Sequence, residues 1–595
     1  MPYFDLHCHP FLRSTWIEGH PPDSEFFVKI DPGNVSAVQK AVIRAFGKPL
    51  ETILNSQSCL SHVHKADPAG AKIIVATLFA MENSYANLGF CGFKQVLRFI
   101  EGMNVDQLKE IGDALHSNPI GYHTLLKREL DIVKEFGNQD FGPFTCKIVS
   151  DFSEIDVRSD VINVILNMEG GHNFYTRPGI LDQETQLNCG EVTLALETWK
   201  KAAFIGEVPR LLYITLTHHT TNCLTNHAFG VPTQFAGNGT NANAGGFNPT
   251  GNRLSDEGIQ FIRTALRQTD DEDRILIDLK HMSLQARREW YRLRETLMKD
   301  DDFAHIPLVA SHMGVTGLSW FDPTVNTCRN FLPDGNCFEI FHDDSLARLG
   351  FLLKENGLDD PHLKFNPWSI NLYDEEIRLI VDSGGLIGLS FDDRILGNSA
   401  FTESTERFSR REVNLGAPDP LDRFPLPSLA HIDFANPIPA GSDPAIHRVE
   451  FPRTNRPHPG IHEPNYPGNA IMNSEDSDFL KRQKGLLSLC QNVVHIVRRG
   501  GPEAWNCVCI GSDFDGLMDA IDAVPNAAAV ANMRQNFTNF TVRMINALNQ
   551  HIRDNNLPEP LLTFPVDFYD RFVFDNAHKF LRTHFTRQPV LLVEN

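Results

Sequence analysis

The chain opens on "MPYFDLHCHP", a short apolar run that ends with His7 and His9 two residues apart. On a β-strand, two imidazoles at i and i+2 project from one face with Asp5 below them, while Phe4, Leu6 and Cys8 take the other. Such a pair can converge on one cation. Polar endings recur on later apolar runs: Glu169, His218 with His219, His281, His312, Asp392 with Asp393, and Asp513. Collected, His7, His9, Glu169, His281, His312 and Asp513 are nitrogen and oxygen donors without a thiolate. That set suits Zn²⁺, and also Mn²⁺, Fe²⁺ or Co²⁺. Six protein ligands are too many for one catalytic ion, which keeps a position open; they suit two divalent ions sharing one carboxylate. Two ions about 3.5–4 Å apart can share a hydroxide and polarise a carbonyl, which is hydrolytic chemistry.

The elements that must position these residues are eight short apolar, β-branched runs: "YFDLHCH" (3–9), "KIIVATLFAM" (72–81), "VINVILNME" (161–169), "LLYITLTHH" (211–219), "RILIDLKH" (274–281), "IPLVASH" (306–312), "GLIGLSFDD" (385–393) and "CVCIGSDFDG" (507–516). Continuous apolar runs, without clean alternation, predict parallel strands covered on both faces. Helical patterns lie between them. "SDEGIQFIRTALRQT" begins with a capping Ser, "SLQARREWYRLRETLMK" is amphipathic, and "YDEEIRLIVDSG" has an acidic first turn and a Gly stop. Eight strand–helix units predict an α/β fold, a (β/α)₈ TIM-type barrel, with a doubly wound sheet as the alternative. Seven of the eight runs finish in His, Glu or Asp. A barrel gathers its strand C-termini into one ring, whereas an open sheet spreads them apart, so the polar endings favour the barrel.

The 595 residues exceed a typical domain, and the excess falls in connections: 10–70, 82–150, 220–252, 313–370 and 394–478 are longer than ordinary βα loops. We read 1–595 as one barrel domain with 394–478 as a Pro-rich insertion within it, and the long loops as covers over the C-terminal mouth. The Gly/Asn-rich "FAGNGTNANAGGFNPTGN" and the Pro-rich insertion lack the composition for cores of their own. Formal net charge is −21, which argues against nucleic acid or an anionic membrane as partner. No run approaches a membrane span, and residues 1–20 lack the pattern of a signal peptide, so the expected location is the cytoplasm. Eleven cysteines without CxxC framing predict neither a disulfide scaffold nor a thiolate zinc site, and Cys507 and Cys509 read as small apolar fillers. Homo-oligomerisation stays open.

Several ordered motifs resemble one family, the membrane (renal-type) dipeptidases of metallopeptidase family M19, within the amidohydrolase superfamily. "VCIGSDFDG" resembles its strand-eight signature, "NMEGGHNF" its Glu-Gly-Gly-His segment, and "YITLTHHTTN" its Leu-Thr-His strand. "LIDLKHMS" and "LVASHMG" resemble its two metal-histidine strands, "YDEEIRLIVDSGGLIG" its penultimate βα unit, and "RLSDEGIQFI" and "FDNAHKFLRTHF" further segments. The resemblance implies that His7, His9, Glu169 and Asp513 surround one metal ion, most readily zinc, and that Glu169 bridges to a second held by His281 and His312. It implies that His218 faces the substrate, polarising the scissile carbonyl, and that Asp513 takes a proton from the bridging water and delivers it to the leaving amine.

Two departures stand out. The family has His-x-Asp on strand one where this chain has His7-x-His9, which removes one negative charge from the metal shell. The family also carries an Arg before the "DEEI"-type helix to grip a substrate carboxylate, where this chain reads "FNPWSINLYDEEI", with Ser369, Ile370 and Asn371. Arg394 and Arg253 are the candidate substitutes. Three functions follow in order. The first is hydrolysis of an amide bond in a small substrate such as a dipeptide or N-acyl amino acid. The second is hydrolysis of a lactone, cyclic amide or other substrate without a free carboxylate. The third is a barrel without catalysis that serves as a binding module. Asp515 and Asp392 read as supports for the ligands or as structural residues, and His172 and His219 as supports or packing. His431 and Asp433 read as loop residues. Alternation turns Lys280 away from the metal face, and Glu169 already fills the bridging role a modified lysine would take.

Overall fold

The described residues form twelve strands, the barrel ones mostly from runs of Ile, Val and Leu: β1 Tyr3–Cys8, β2 Lys72–Leu78, β3 Thr145–Ile148, β4 Val161–Glu169, β5 Leu211–Thr215, β6 Leu276–Asp278, β7 Val309–Met313, β8 Asn326–Phe331, β9 Cys337–His342, β10 Leu386–Leu389, β11 Thr405–Ser409 and β12 Val508–Ile510. The computed structural model describes residues 2–16, 21–25, 56–67, 69–80, 82, 122–174, 189–230, 247–269, 271–300, 303, 305–318, 326–331, 337–342, 365–397, 405–412, 483–516, 518 and 520–587. His431, Asp433, most of 394–478 and much of the Gly/Asn-rich stretch lie outside these residues.

Eight strands pair in parallel in the order β1-β2-β4-β5-β6-β7-β10-β12. The ring closes between its first and last members: Cys8 bridges Phe514 in parallel, His9 N donates to Phe514 O at 2.9 Å, and Asp513 N donates to His7 O at 2.9 Å. This is the (β/α)₈ barrel, built from all eight predicted runs. Every residue of β2 and β4 is buried, as a strand covered on both faces requires. Each fully buried aliphatic side chain contributes roughly 1.5–3 kcal/mol, and one continuous apolar cluster runs through barrel and helices.

The predicted helices begin where their caps stand. Ser255 accepts from Gly258 N ahead of helix Asp256–Leu266, and Ser283 accepts from Ala286 N ahead of helix Leu284–Leu297. Glu376 reaches back to Tyr373 N at 3.0 Å to start helix Asp374–Asp382. Two features go beyond the sequence reading. β3 pairs with the first half of β4, where β5 does not reach, and the long loops contribute a three-stranded antiparallel sheet, β11-β9-β8. Cys189 and Cys223 form a disulfide joining helix Cys189–Phe204 to the loop after β5, a bridge that the cysteine spacing did not predict. Cys507 and Cys509 are buried free thiols, as expected of apolar fillers. Among the described residues no helix is long and apolar enough to cross a membrane.

Candidate metal centre

Five strands deliver the six candidate ligands to the C-terminal mouth. His7 lies in β1 and His9 just beyond it, Glu169 ends β4, His312 lies in β7, and His281 and Asp513 follow β6 and β12. His281 and Asp513 both have φ 64°, the left-handed region that non-glycine residues rarely adopt. That turn swings His281 inward from a position that strand alternation assigns to the other face. Gly516 has a steric role beside them, since a Cβ there would lie 2.2 Å from Asp513 Oδ1 and 2.7 Å from the His9 ring.

The ligand atoms stand close without bonding. His7 Nε2 lies 3.7 Å from Glu169 Oε1 and 3.8 Å from Asp513 Oδ1, and His9 Nε2 lies 3.5 Å from both Glu169 Oε2 and Asp513 Oδ1. Glu169 Oε1 is 3.1 Å from His281 Nε2 and 3.5 Å from His312 Nε2. Both ring nitrogens of His9 and of His281, and Glu169 Oε1, are buried without a hydrogen-bond partner. Buried polar atoms are normally satisfied, and donors about 2.0–2.2 Å from one ion sit at just such mutual separations. The residues therefore fit a divalent metal centre. Within the six predicted ligands, three triads meet the spacing for a common ion: His7, His9 and Glu169; His7, His312 and Asp513; and Glu169, His281 and His312.

Supporting bonds fix which nitrogen faces inward. Tyr213 gives its hydroxyl proton to Leu6 O at 2.8 Å, which leaves the Tyr213 oxygen, 2.9 Å from His7 Nδ1, to accept that ring proton and turn the Nε2 lone pair inward. Ser311 Oγ likewise donates to Asp278 and takes the His312 Nδ1 proton at 2.7 Å. Burial first, then neighbouring positive charge, holds His7, His281 and His312 well below the usual imidazole range, in the neutral form that ligates. Burial also lifts Glu169 to about 7.

His218 stands above this cluster, its ring 4.3 Å from that of His281. Glu82 accepts from His218 Nδ1 at 2.9 Å and from His219 N at 2.9 Å. Burial opposes the imidazolium, yet Glu82 and Glu169 outweigh it and raise His218 above its ordinary value. Burial equally opposes the Glu82 carboxylate, and the His218 charge and hydrogen bond bring it down to about 2. His219 stacks on His218 at 4.1 Å, and with His281 the two make a fourth group close enough to share an ion. His172 bonds Ala80 O at 2.7 Å and packs on Tyr122, a structural role.

The remaining candidates resolve outside the ligand set. Asp515 is an anchor for the 56–58 segment, accepting from Ser56 Oγ, Gln57 N, and Ser58 N and Oγ at 2.7–3.0 Å, with Arg13 Nε 3.1 Å away. Asp392 caps the short helix Asp393–Leu396 and is held by Arg394. Arg253 pairs with Glu289 at 2.9 Å, so both candidate substitutes for the missing Arg are engaged elsewhere. Ser369 N donates to Glu406 at 2.8 Å, and Asn371 binds Gly314 N and the carbonyls of Asn366 and Ile395. Strand β6 ends at Asp278, whose carboxylate is bonded by Thr215 and Ser311, and Lys280 stands in the turn that follows, buried and with no hydrogen-bond partner for its Nζ.

Sequence reasoning missed Glu82, and a signal existed. Of the eight apolar runs only 72–81 lacks a polar ending, and the next residue is Glu82.

No protein-family model matches the chain, and no curated protein is significantly similar to it. Among solved structures it is similar to a metallo peptidase from Rhodobacter sphaeroides liganded with a phosphinate mimic of the dipeptide L-Ala-D-Ala (TM-score 0.43, 12% identity, 98% of this chain and 99% of that chain). It is also similar to the probable dipeptidase PvdM from Pseudomonas aeruginosa (TM-score 0.38, 13% identity, 89% of each chain). An amidohydrolase from the same organism gives a TM-score of 0.34 at 10% identity, covering 78% of this chain and 86% of that chain. Likeness at this level leaves the chemistry to be read from the residues themselves.

Proposed function

We propose that this protein is a metal-dependent hydrolase, with a two-ion centre that cleaves an amide bond in a small substrate such as a dipeptide or N-acyl amino acid. The observation that carries the reading is the convergence of six side chains around buried nitrogen and oxygen atoms without protein partners. His7, His9, Glu169 and Asp513 would hold one ion, and Glu169, His281 and His312 the other. Divalent ions there, most readily zinc, lower the pKa of a bound water and polarise a carbonyl. The chain's own residues do the rest. Asp513, at the ring's closure, accepts the water proton and passes it to the leaving amine. His218, kept cationic by Glu82, donates to the carbonyl oxygen as negative charge develops there. Phe79 packs its ring 4.7 Å from His218 and limits water at that donor.

A second reading, hydrolysis of a lactone, cyclic amide or other substrate without a free carboxylate, is favoured by one observation. Ser369 and Asn371 are occupied with structural bonds, and Arg394 and Arg253 are paired. The test is a panel of L-L dipeptides, L-D dipeptides and N-acyl amino acids with Zn²⁺- or Mn²⁺-reconstituted protein, Asp513→Asn serving as blank. Cleavage lost in the variant supports the amide reading. Silence from a metal-loaded protein moves the substrate to lactones or capped amides, and a protein that takes up no metal supports the binding-module alternative.

A further inference from the structure

Two fully buried aspartates, Asp5 and Asp278, bond their surroundings to one plan, each across a seam between neighbouring strands. At the β12–β1 seam, one Asp5 oxygen accepts from Ser512 N at 2.9 Å and His7 N at 3.2 Å, and the other accepts from the hydroxyls of Ser512 and Tyr3. At the β6–β7 seam, one Asp278 oxygen accepts from Ser311 N at 2.9 Å and Lys280 N at 3.3 Å, and the other accepts from the hydroxyls of Ser311 and Thr215. In both cases the serine is held by its backbone and its side chain together, and the next residue is a candidate ligand: Asp513 after Ser512, His312 after Ser311. A carboxylate has lone pairs for all these donors, whereas an amide in its place has one accepting oxygen. Strand pairing alone needs no buried charge, since neutral backbone bonds already supply it.

We propose that Asp5 and Asp278 are positioning residues of the metal centre, one for each ion: Asp5 for the ion of His7, His9 and Asp513, Asp278 for the ion of His281 and His312. The inference rests on the metal-centre reading above. The ligands divide between the seams in that way. Asp5 lies two residues before His7 and fixes its N–H, and Asp513 N closes the same seam by donating to His7 O at 2.9 Å. Asp278 begins the turn to His281, and the Ser311 hydroxyl it holds faces His312 Nδ1 at 2.7 Å. Glu169, shared by both ions, ends β4, which pairs with β2 and β5 and borders neither seam.

The test is a Zn²⁺ titration of the metal-free full-length protein, followed by calorimetry and by competition with a chromophoric chelator. It compares wild type with Asp5→Asn and Asp278→Asn, which keep the shape and one accepting oxygen. In each variant one ion should bind about 10–100-fold more weakly while the other keeps its wild-type affinity. His9→Ala assigns the ions, because it damages the first ligand set alone. Added to it, Asp278→Asn should weaken the remaining ion and Asp5→Asn should not. Ser512→Ala and Ser311→Ala remove one hydroxyl donor and leave the backbone bond. They replace an Asn variant that fails to fold, and should weaken the same ions by a smaller factor. Unchanged affinities, losses shared by both ions, or a loss at the wrong ion overturn the inference and leave the two aspartates as fasteners of the strands. A wild type that takes up fewer than two Zn²⁺ instead removes the two-ion reading, and the inference with it.

Discussion

Two buried polar clusters sit on opposite sides of the barrel wall, and they are built to opposite plans. On the outer side Arg287 and Glu376, both fully buried, form a closed network. The guanidinium donates to both Glu376 oxygens at 2.6 and 2.8 Å and to the carbonyls of Met282, Ser369 and Asn371, while Tyr291 donates to Glu376 at 2.6 Å. Inside the mouth, the candidate ligand cluster is also buried, yet both ring nitrogens of His9 and of His281 and one Glu169 oxygen have no hydrogen-bond partner. A closed network rigidifies the fold; an open one of the same burial is destabilising unless something completes it. The two clusters differ in whether their buried polar atoms find partners within the protein. Arg287 also holds the backbone of the segment where a substrate-binding Arg was sought, through the carbonyls of Ser369 and Asn371.

The comparison can be broken in four ways. The largest effect belongs to the open cluster. Asp513→Asn keeps shape and removes the proton acceptor, and the rate on any cleaved substrate should fall by about 10²–10⁴-fold with stability little changed. Retained activity in steady-state assays would remove Asp513 from the mechanism. Next, Arg287→Met opens the closed cluster and strands Glu376. Denaturant unfolding should show a loss of about 3–5 kcal/mol, with the metal sites intact in whatever protein still folds.

Glu129 is half of each plan. One oxygen accepts from Phe79 N at 2.6 Å, the other has no partner, and burial pushes its carboxyl up to about 8. An acid raised on folding binds more protons in the native state than in the unfolded state. Stability of the metal-free protein should therefore fall as pH rises from about 4.5 to 8. Glu129→Gln should flatten that decline, gaining up to about 3 kcal/mol at neutral pH, as read by urea midpoints across the window. An unchanged slope would assign the decline to other groups. The smallest effect is expected at Glu82, which positions His218 without touching substrate. Glu82→Gln should lower kcat by about 10–100-fold and leave KM nearly unchanged. An effect confined to KM would make His218 a binding residue only.

Much of the barrel and of the ligand set was legible in the sequence, because both rest on local rules. Apolar runs with polar endings locate the strand C-termini, and His7-x-His9 on one strand face follows from a period of two. The three-stranded sheet of the loops was not legible, since its strands carry no apolar periodicity of their own and gain order by pairing with one another.

What the sequence determined by itself was the eight strands, their helices and caps, and the residue types at each strand end. What only the tertiary structure decided was orientation and company. The left-handed turn at His281 brings its ring to Glu169, against the alternation that the strand predicts. Glu82 meets His218 across 136 positions of chain, and Arg287 meets Glu376 across 89. Such contacts depend on how separate elements close upon one another. A pattern read along the chain carries the local backbone preference but not the partner that overrides it.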